Sequence, residues 1–241
     1  MNVLVCISVV PDTTAKITFT DNNTQFNTNG VQFILNPYDE IALSRAIDLG
    51  GKVTVIHVGN AASEPVIRKA LAVGATDAIR INAEPTDAYF VAYQIAEFVK
   101  ANPFDLILAG MESIDYNGAK VAAMLGEFLN LPSVSVAKKI DLDGNKVTVE
   151  REIEGGKEVL SIPLPAIIGT AEGVAEWKIP NMRGTMAART KPIQVLEAVS
   201  VDPFSRIISF ETPEPRGKVK LISAENTADL VASLHEEARV I

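Results

Sequence analysis

Four short apolar runs, each followed by a segment of helical periodicity, restrict this chain more than any other feature. Asn2–Val10 is nearly all apolar and β-branched, Lys52–Val58 repeats that character, Asp77–Ile81 is a shorter version, and Leu106–Ala109 is wholly apolar. Continuous apolar character, rather than alternation, marks a strand covered on both faces. Between the runs lie apolar stripes at helical spacing: Ile41, Ala42, Ala46 and Leu49; Val66, Ile67, Ala70 and Leu71; Phe90, Val91, Ile95, Phe98 and Val99. Asn36, Pro37, Asp39 and Glu40 open the first helix, and Ser63 is read as the cap of the second. Gly50-Gly51, Gly74 and Asn102-Pro103 stop the three. Strands alternating with helices of this length predict βαβ units, hence a doubly wound, mainly parallel sheet with helices on both faces.

Several function classes have little material here. The net charge is −8 at pH 7, a poor match to nucleic-acid binding, which wants a basic face. Cys6 is the only cysteine and His57 and His235 the only histidines, so no disulfide, no zinc or iron–sulfur cluster and no Ser-His-Asp triad is expected. Gly-x-Ser-x-Gly is absent, which disfavours an ordinary hydrolase. The chain opens directly on an apolar strand, with no charged leader and no apolar run of membrane-spanning length, so the expected setting is cytoplasmic without membrane insertion.

The rest of the chain is less regular. Ile17 to Leu35 reads as a small hairpin excursion around the Asp21-Asn22-Asn23 turn. Val121–Leu131 is a fourth helix, Ser133–Ile140 a strand, and Lys146–Ile153 with Lys157–Ile162 a hairpin. Ala166–Gly169 is a further buried run. Trp177–Arg189 reads as irregular and basic, with Lys178, Arg183 and Arg189. Lys191–Val219 carries Pro192, Pro203, Pro213 and Pro215 and is expected to lack regular structure, while Asn226–Arg239 fits a final helix. Residues 1–189 are read as an α/β domain and 190–241 as an arm. The arm's Val195, Leu196, Val199, Phe204, Ile207, Ile208 and Phe210 cannot close a core alone, so they need a surface to lie on, their own domain's or a partner's.

Leu106 to Val121 is the candidate site: strand, Gly110, polar loop, helix. In open α/β sheets ligands sit beyond the carboxyl ends of the strands, and the amides opening the next helix can hold an anion. Asp115, Asn117 and Gly118 suit such a loop, since Asp and Asn cap helices and Gly lets a ligand approach the backbone. An ordinary Asx-capped loop is the plain alternative.

Six separated segments together resemble the electron transfer flavoprotein beta subunit, from Val3 to Ile241. They are Val3–Ile7 with Pro11, Asp12 and Lys16; Asn36–Ala42; Ile67–Ala72 with Gly74–Asp77; Phe104–Leu108 with Gly110 and Asp115; Val149–Leu160; and Pro165–Ile168. The hairpin stretch Val149–Leu160 is the most specific, and Gly169 departs from the small Thr, Ala or Cys usual there. The resemblance implies a Rossmann-like sheet of the adenine nucleotide alpha hydrolase type. It implies a heterodimer with an alpha subunit that carries most of an FAD site, and a C-terminal arm that wraps that subunit. It implies AMP in the beta pocket, or a second FAD in the electron-bifurcating branch. Electrons would come from acyl-CoA dehydrogenase-type flavoenzymes of fatty acid oxidation and pass to a quinone or other acceptor, so the chain is expected to be a carrier subunit with no catalytic side chain of its own.

By residue, the resemblance implies that Asn36 and Gly59 line the adenine pocket beside the backbone of Cys6 and Ser8. Asp115, Asn117, Gly118, Ala119, Lys120 and Val121 would hold the phosphate. Asn117 stands where the family has an acid, Gly118 where it has Thr, Lys120 where it has Gln, and Ser8 where Lys is frequent. Lys120 offers a charge-assisted contact in exchange for the lost hydroxyl. Tyr38 is implied to approach the flavin of the alpha subunit, and Ile179, Pro180, Asn181 and Met182 to form a docking loop for dehydrogenases, a small transient contact. A stand-alone adenine-nucleotide module of the stress-protein kind is the rival reading.

Overall fold

In the computed structural model, which describes residues 1–241, the first apolar run makes the innermost strand, β1 (Asn2–Cys6). Its residues alternate between two cores. Val3 and Val5 face one side, with Ala42, Leu43, Ile67 and Leu71. Leu4 and Cys6 face the other, with Ala92, Ile95, Val99 and Leu125. A strand buried on both faces has no polar face to show, which is why the run carries no alternation.

The run was expected to reach Val10 as one strand, and it does not. The carboxylate of Asp39 takes the Ser8 amide at 2.7 Å, and the chain turns off the sheet there. It resumes as β2 (Val9–Pro11). The excursion follows as the tiny hairpin β3 (Phe19–Thr20) and β4 (Gln25–Phe26), then β5 (Phe33–Leu35), which pairs antiparallel with β2. Next come α1 (Pro37–Leu49), β6 (Lys52–Val58), α2 (Glu64–Val73), β7 (Asp77–Asn82), α3 (Ala88–Ala101), β8 (Leu106–Gly110) and α4 (Val121–Leu129). Asp87 caps α3, its side chain accepting from the Phe90 amide at 2.7 Å. Ser63 does not cap α2. It sits in a short 3-10 turn capped by Asn60 and spends its hydroxyl on the Asn60 carbonyl.

The second half adds β9 (Ser133–Asp143), β10 (Lys146–Ile153), β11 (Gly156–Pro163), β12 (Ala166–Thr170), α5 (Met182–Thr190), β13 (Ile193–Glu197) and α6 (Thr227–Ala232). The nine-stranded sheet runs β11-β10-β9-β12-β8-β1-β6-β7-β13. All pairs from β9 to β13 are parallel, and only the β9-β10-β11 meander is antiparallel. The doubly wound, mainly parallel architecture is therefore present. From β1 the chain winds one way through β6 and β7 and the other way through β8 and β12, so the order reverses between β1 and β8.

Three expectations for the second half need correction. Part of Trp177–Arg189 is helical, because Asn181 caps α5 by accepting from the Gly184 amide at 2.7 Å, and Gly184 lets α5 settle against the Ala72 carbonyl of α2. The segment after Pro192 is not wholly irregular, since β13 joins β7 as a parallel edge strand. The final helix falls within the expected Asn226–Arg239, the correction being one of form: α6 gives way to a π-helical turn over Ser233–Glu237. No helix is long and apolar enough to cross a membrane.

Candidate functional site

The reversal between β1 and β8 leaves the crevice where open α/β sheets take ligands. A cavity of about 420 Å³ opens there, at the carboxyl ends of β1, β6 and β8 and the N-terminal ends of α3 and α4, within the usual size range of small-molecule sites. Its wall has two chemistries. Cys6, Ile7, Val58, Val91, Ile95 and Ala109 form an apolar side. Ser113, Asp115, Gly118, Ala119, Lys120 and Val121 form a polar side on the loop that leads into α4.

The polar side presents unpaired backbone amides. The amides of Gly118 through Ala123 find no acceptor within the chain, and no side chain caps α4. The unpaired amides at a helix start carry the positive end of its dipole. Asn117 and Ala119 are held at φ +48° and +50°, and Lys120 follows in the right-handed region. Such a left-to-right alternation turns successive N–H groups into one concavity, a backbone nest for anions. Nothing lies within 4 Å of where a Cβ on Gly118 would stand, so that position is open to a ligand. Asp115 is tied into the loop: its Oδ1 accepts from the Ser113 hydroxyl and from the Tyr116 amide. Its work is to shape the loop.

Asp39 ties together the two strands that flank the reversal. One oxygen accepts from the Ser8 amide just past β1 (2.7 Å), the other from the Gly110 amide at the end of β8 (2.8 Å). Burial pushes its carboxyl up to about 6, against the pull of those amides, so it is ionised at neutral pH. Burial raises the Cys6 thiol far above its usual range, with Asp39 adding to the effect; the thiol is a neutral wall group. Burial lowers His57, the Ile7 carbonyl pulls it up and Arg80 pushes it down, for a net fall. Its Nδ1–H donates to the Ile7 carbonyl at 2.9 Å, which leaves a neutral imidazole on the cavity wall.

Of the residues expected to hold a nucleotide, Cys6, Ser8, Asp115, Gly118, Ala119, Lys120 and Val121 line the cavity. Asn36, Gly59 and Asn117 stand behind it. Asn36, fully buried, donates through Nδ2 to the Glu112 carbonyl (2.8 Å) and accepts through Oδ1 from the Ile114 amide (3.3 Å). It braces the loop against the start of α1. The Gly59 carbonyl accepts from Arg80 at 3.0 Å, and a Cβ there would strike the His57 ring. The Asn117 amide donates to the Ser113 carbonyl at 2.7 Å.

Tyr38 lies outside the cavity, at the start of α1 beside Gly110, close to where a Cβ on that glycine would stand. Ile179 and Met182 are 74% and 80% exposed, and Pro180 links them to the cap residue Asn181. Trp177 and Met186, nearby in the chain, are exposed as well, with Lys69 over the Trp177 ring at 5.8 Å. Sequence reasoning missed both, and also the cavity residues His57, Asp87, Glu112 and Arg206. The one available signal was Asp87, an N-cap type at the start of a long amphipathic helix.

Fold and cavity together define a class: a doubly wound α/β protein with a crevice at its switch point, apolar on one side and lined by unpaired helix-start amides on the other. The electron transfer flavoprotein domain model matches residues 23–201. The chain is similar to electron transfer flavoprotein subunit beta of Bacillus subtilis (strain 168), 33% identical over the full length of both proteins. It is 34% identical to the protein of that name from Syntrophomonas wolfei, over 88% of this chain and 86% of the relative. The Homo sapiens protein of that name is 32% identical over 100% of this chain and 99% of its own. The chain belongs to the electron transfer flavoprotein family, on its beta-subunit side.

Proposed function

We propose that this chain is the beta subunit of a heterodimeric electron transfer flavoprotein and that its cavity holds AMP as a structural ligand. The observation that carries the reading is the unpaired amide nest of Gly118–Ala123, set beside an apolar wall suited to a flat base, in a chain related end to end to beta subunits. The phosphate meets the nest and Lys120; the base lies against Cys6, Ile7 and Val58. When bound, the flavin, held mainly by the alpha subunit, supplies the redox chemistry. This chain's side chains position and bind. Tyr38 faces the shared flavin site, the arm beyond Phe210 lies on the alpha subunit, and Ile179–Met182 with Trp177 offers the weak contact that acyl-CoA dehydrogenase-like donors need before electrons pass to a quinone or another acceptor. The exposed Val219 and Leu221 support an arm that meets another chain.

Co-expression with its alpha subunit, denaturation of the purified pair and chromatography of the released nucleotides test this. One FAD and one AMP per pair are expected. Two FAD would overturn the AMP assignment in favour of electron bifurcation, FAD alone would mean that the cavity holds no structural nucleotide, and a stable single chain without flavin would overturn the heterodimer.

A further inference from the structure

The segment that follows β13 does more than lead away from the domain. It runs back along α3, where the Gln94 side chain donates to the Val199 carbonyl (2.7 Å) and accepts from the Val199 amide (2.9 Å). At the N-terminus of α3 it meets Asp87. One oxygen of that carboxylate caps the helix. The other accepts from the amides of Phe204 and Ser205, both at 2.7 Å, and from the Ser205 hydroxyl at 3.2 Å. Phe204 rests on Tyr89 with ring centroids 4.6 Å apart. A few residues later the chain is moored again: Phe210 stacks on Phe19 at 4.8 Å and 9°, and its amide donates to the Asn23 carbonyl at 2.7 Å. Between the two moorings, Ser205, Arg206 and Ile207 line the cavity.

Arg206 is thereby held at the cavity with nothing in the chain to neutralise it. It enters none of the ion pairs. Three of the four carboxylates that line the cavity are already engaged: Asp39 by the Ser8 and Gly110 amides, Asp87 by the strap and its own helix, Asp115 by Ser113 and Tyr116. Arg206 and Lys120, both exposed, are the two Lys or Arg residues among those that line the cavity. A guanidinium presents a planar fork of donors that matches phosphate oxygens two at a time.

We propose that Arg206 is a phosphate-binding residue of this cavity and that Asp87 is the positioning residue that delivers it, so that nucleotide binding and seating of the strap reinforce each other. The proposal rests on the adenine-nucleotide reading of the cavity. Its reciprocity is a requirement of linkage: a strap that raises nucleotide affinity is itself held by the nucleotide.

The test uses the full chain in complex with its alpha subunit, stripped of nucleotide, with AMP and adenosine as separate probes in calorimetric titrations. Arg206→Gln is expected to weaken AMP about tenfold, the loss of a charge-assisted contact, and to leave adenosine, which has no phosphate, unchanged. Asp87→Asn keeps an acceptor for the Phe90 amide but turns donors toward the strap. It is expected to weaken AMP similarly and to speed tryptic cleavage after Arg206. Saturating AMP should slow that cleavage in the unaltered chain. Lys146→Gln, at the exposed start of β10 and away from the cavity, serves as the charge control and should match the unaltered chain. Equal AMP affinity in Arg206→Gln and the unaltered chain overturns the proposal, as does equal loss of AMP and adenosine, which would make Arg206 structural. An unaltered complex that binds neither probe overturns the nucleotide reading itself, and the proposal falls with it.

Discussion

Asn36→Ala separates a brace from a ligand contact. The side chain is fully buried and makes two hydrogen bonds to the loop, one to the Glu112 carbonyl at 2.8 Å and one from the Ile114 amide at 3.3 Å. Each such bond contributes about 1 kcal/mol net. The residues left behind are half-buried, so water reaches them in part and the full penalty of an orphaned group does not apply. Loss of the side chain's own packing brings the total to about 2–3 kcal/mol. The backbone contacts of Asn36, its amide to the Ser8 carbonyl and its carbonyl to the Asp39 and Glu40 amides, survive the change, so α1 should still start in place. Urea unfolding without nucleotide should show a midpoint lower by about 1 M at the slope usual for small proteins, with faster proteolysis near Glu112–Gly118. AMP binding should weaken only as far as the loop is loosened. If stability without nucleotide stays within about 0.5 kcal/mol of the unaltered chain while AMP affinity falls tenfold or more, Asn36 contacts the ligand and the bracing argument is wrong.

Other perturbations probe the same junction. Asp39 has a folded value of about 6, raised by burial from 3.8; the folded state binds this proton more tightly, so its contribution is full below about pH 4 and lost as pH rises through about 6. With Asp39→Asn as the non-titrating reference, the stability gap should shrink by about 1 kcal/mol between about pH 5.5 and pH 7.5, and a gap flat with pH in paired urea melts would refute this. Gly110→Ala would place a Cβ 2.5 Å from Asp39 Oδ1 and 2.7 Å from Tyr38 Cβ. It should cost about 2–4 kcal/mol in thermal or urea unfolding, because the β1–β8 clamp must open. Ala119 sits at φ +50°, so Ala119→Gly should be neutral or stabilising by up to about 1 kcal/mol, and Ala119→Val destabilising by about 2 kcal/mol. The opposite order in calorimetric melts would refute the left-handed assignment.

The parts of the fold legible in the sequence are those whose cause is local. A strand covered on both faces must be apolar at every position, so Asn2–Cys6, Lys52–Val58 and Leu106–Gly110 declare themselves. The break after Cys6 is not local: it comes from a carboxylate 31 residues away that takes the Ser8 amide, and no pattern within the run records it. β13 is short, flanked by Pro192 and paired along one side only, so neither face carries the continuous apolar signal of an inner strand. The site divides the same way. Asp115–Val121 stands out in the sequence as a Gly- and Asx-rich loop between strand and helix, which suits an anion site or an ordinary Asx cap, and its place beside the cavity is seen only in the fold. His57, Asp87 and Arg206 reach the cavity from three separate elements, and their convergence is a property of sheet order, not of spacing.

The anion site proposed for this acidic chain looks contradictory until the carboxylates are followed individually. The net charge is −8, and four carboxylates line the cavity, yet proximity alone does not set what a ligand meets there. Asp39, Asp87 and Asp115 each accept from at least two groups of the chain, all but the hydroxyls of Ser113 and Ser205 being backbone amides. A carboxylate engaged this way has its field opposed by hydrogen-bond donors at short range. The amides of Gly118–Ala123, by contrast, have nothing opposing them inside the chain, and Lys120 and Arg206 carry charge that no partner cancels. Local dipoles at contact distance outweigh a screened net charge spread over the surface. It follows that neutralising Glu112, the one lining carboxylate whose side chain makes no hydrogen bond in the chain, should tighten anion binding. Neutralising Asp39, Asp87 or Asp115 should loosen it, since their removal frees the amides that fix the loop and strap in place.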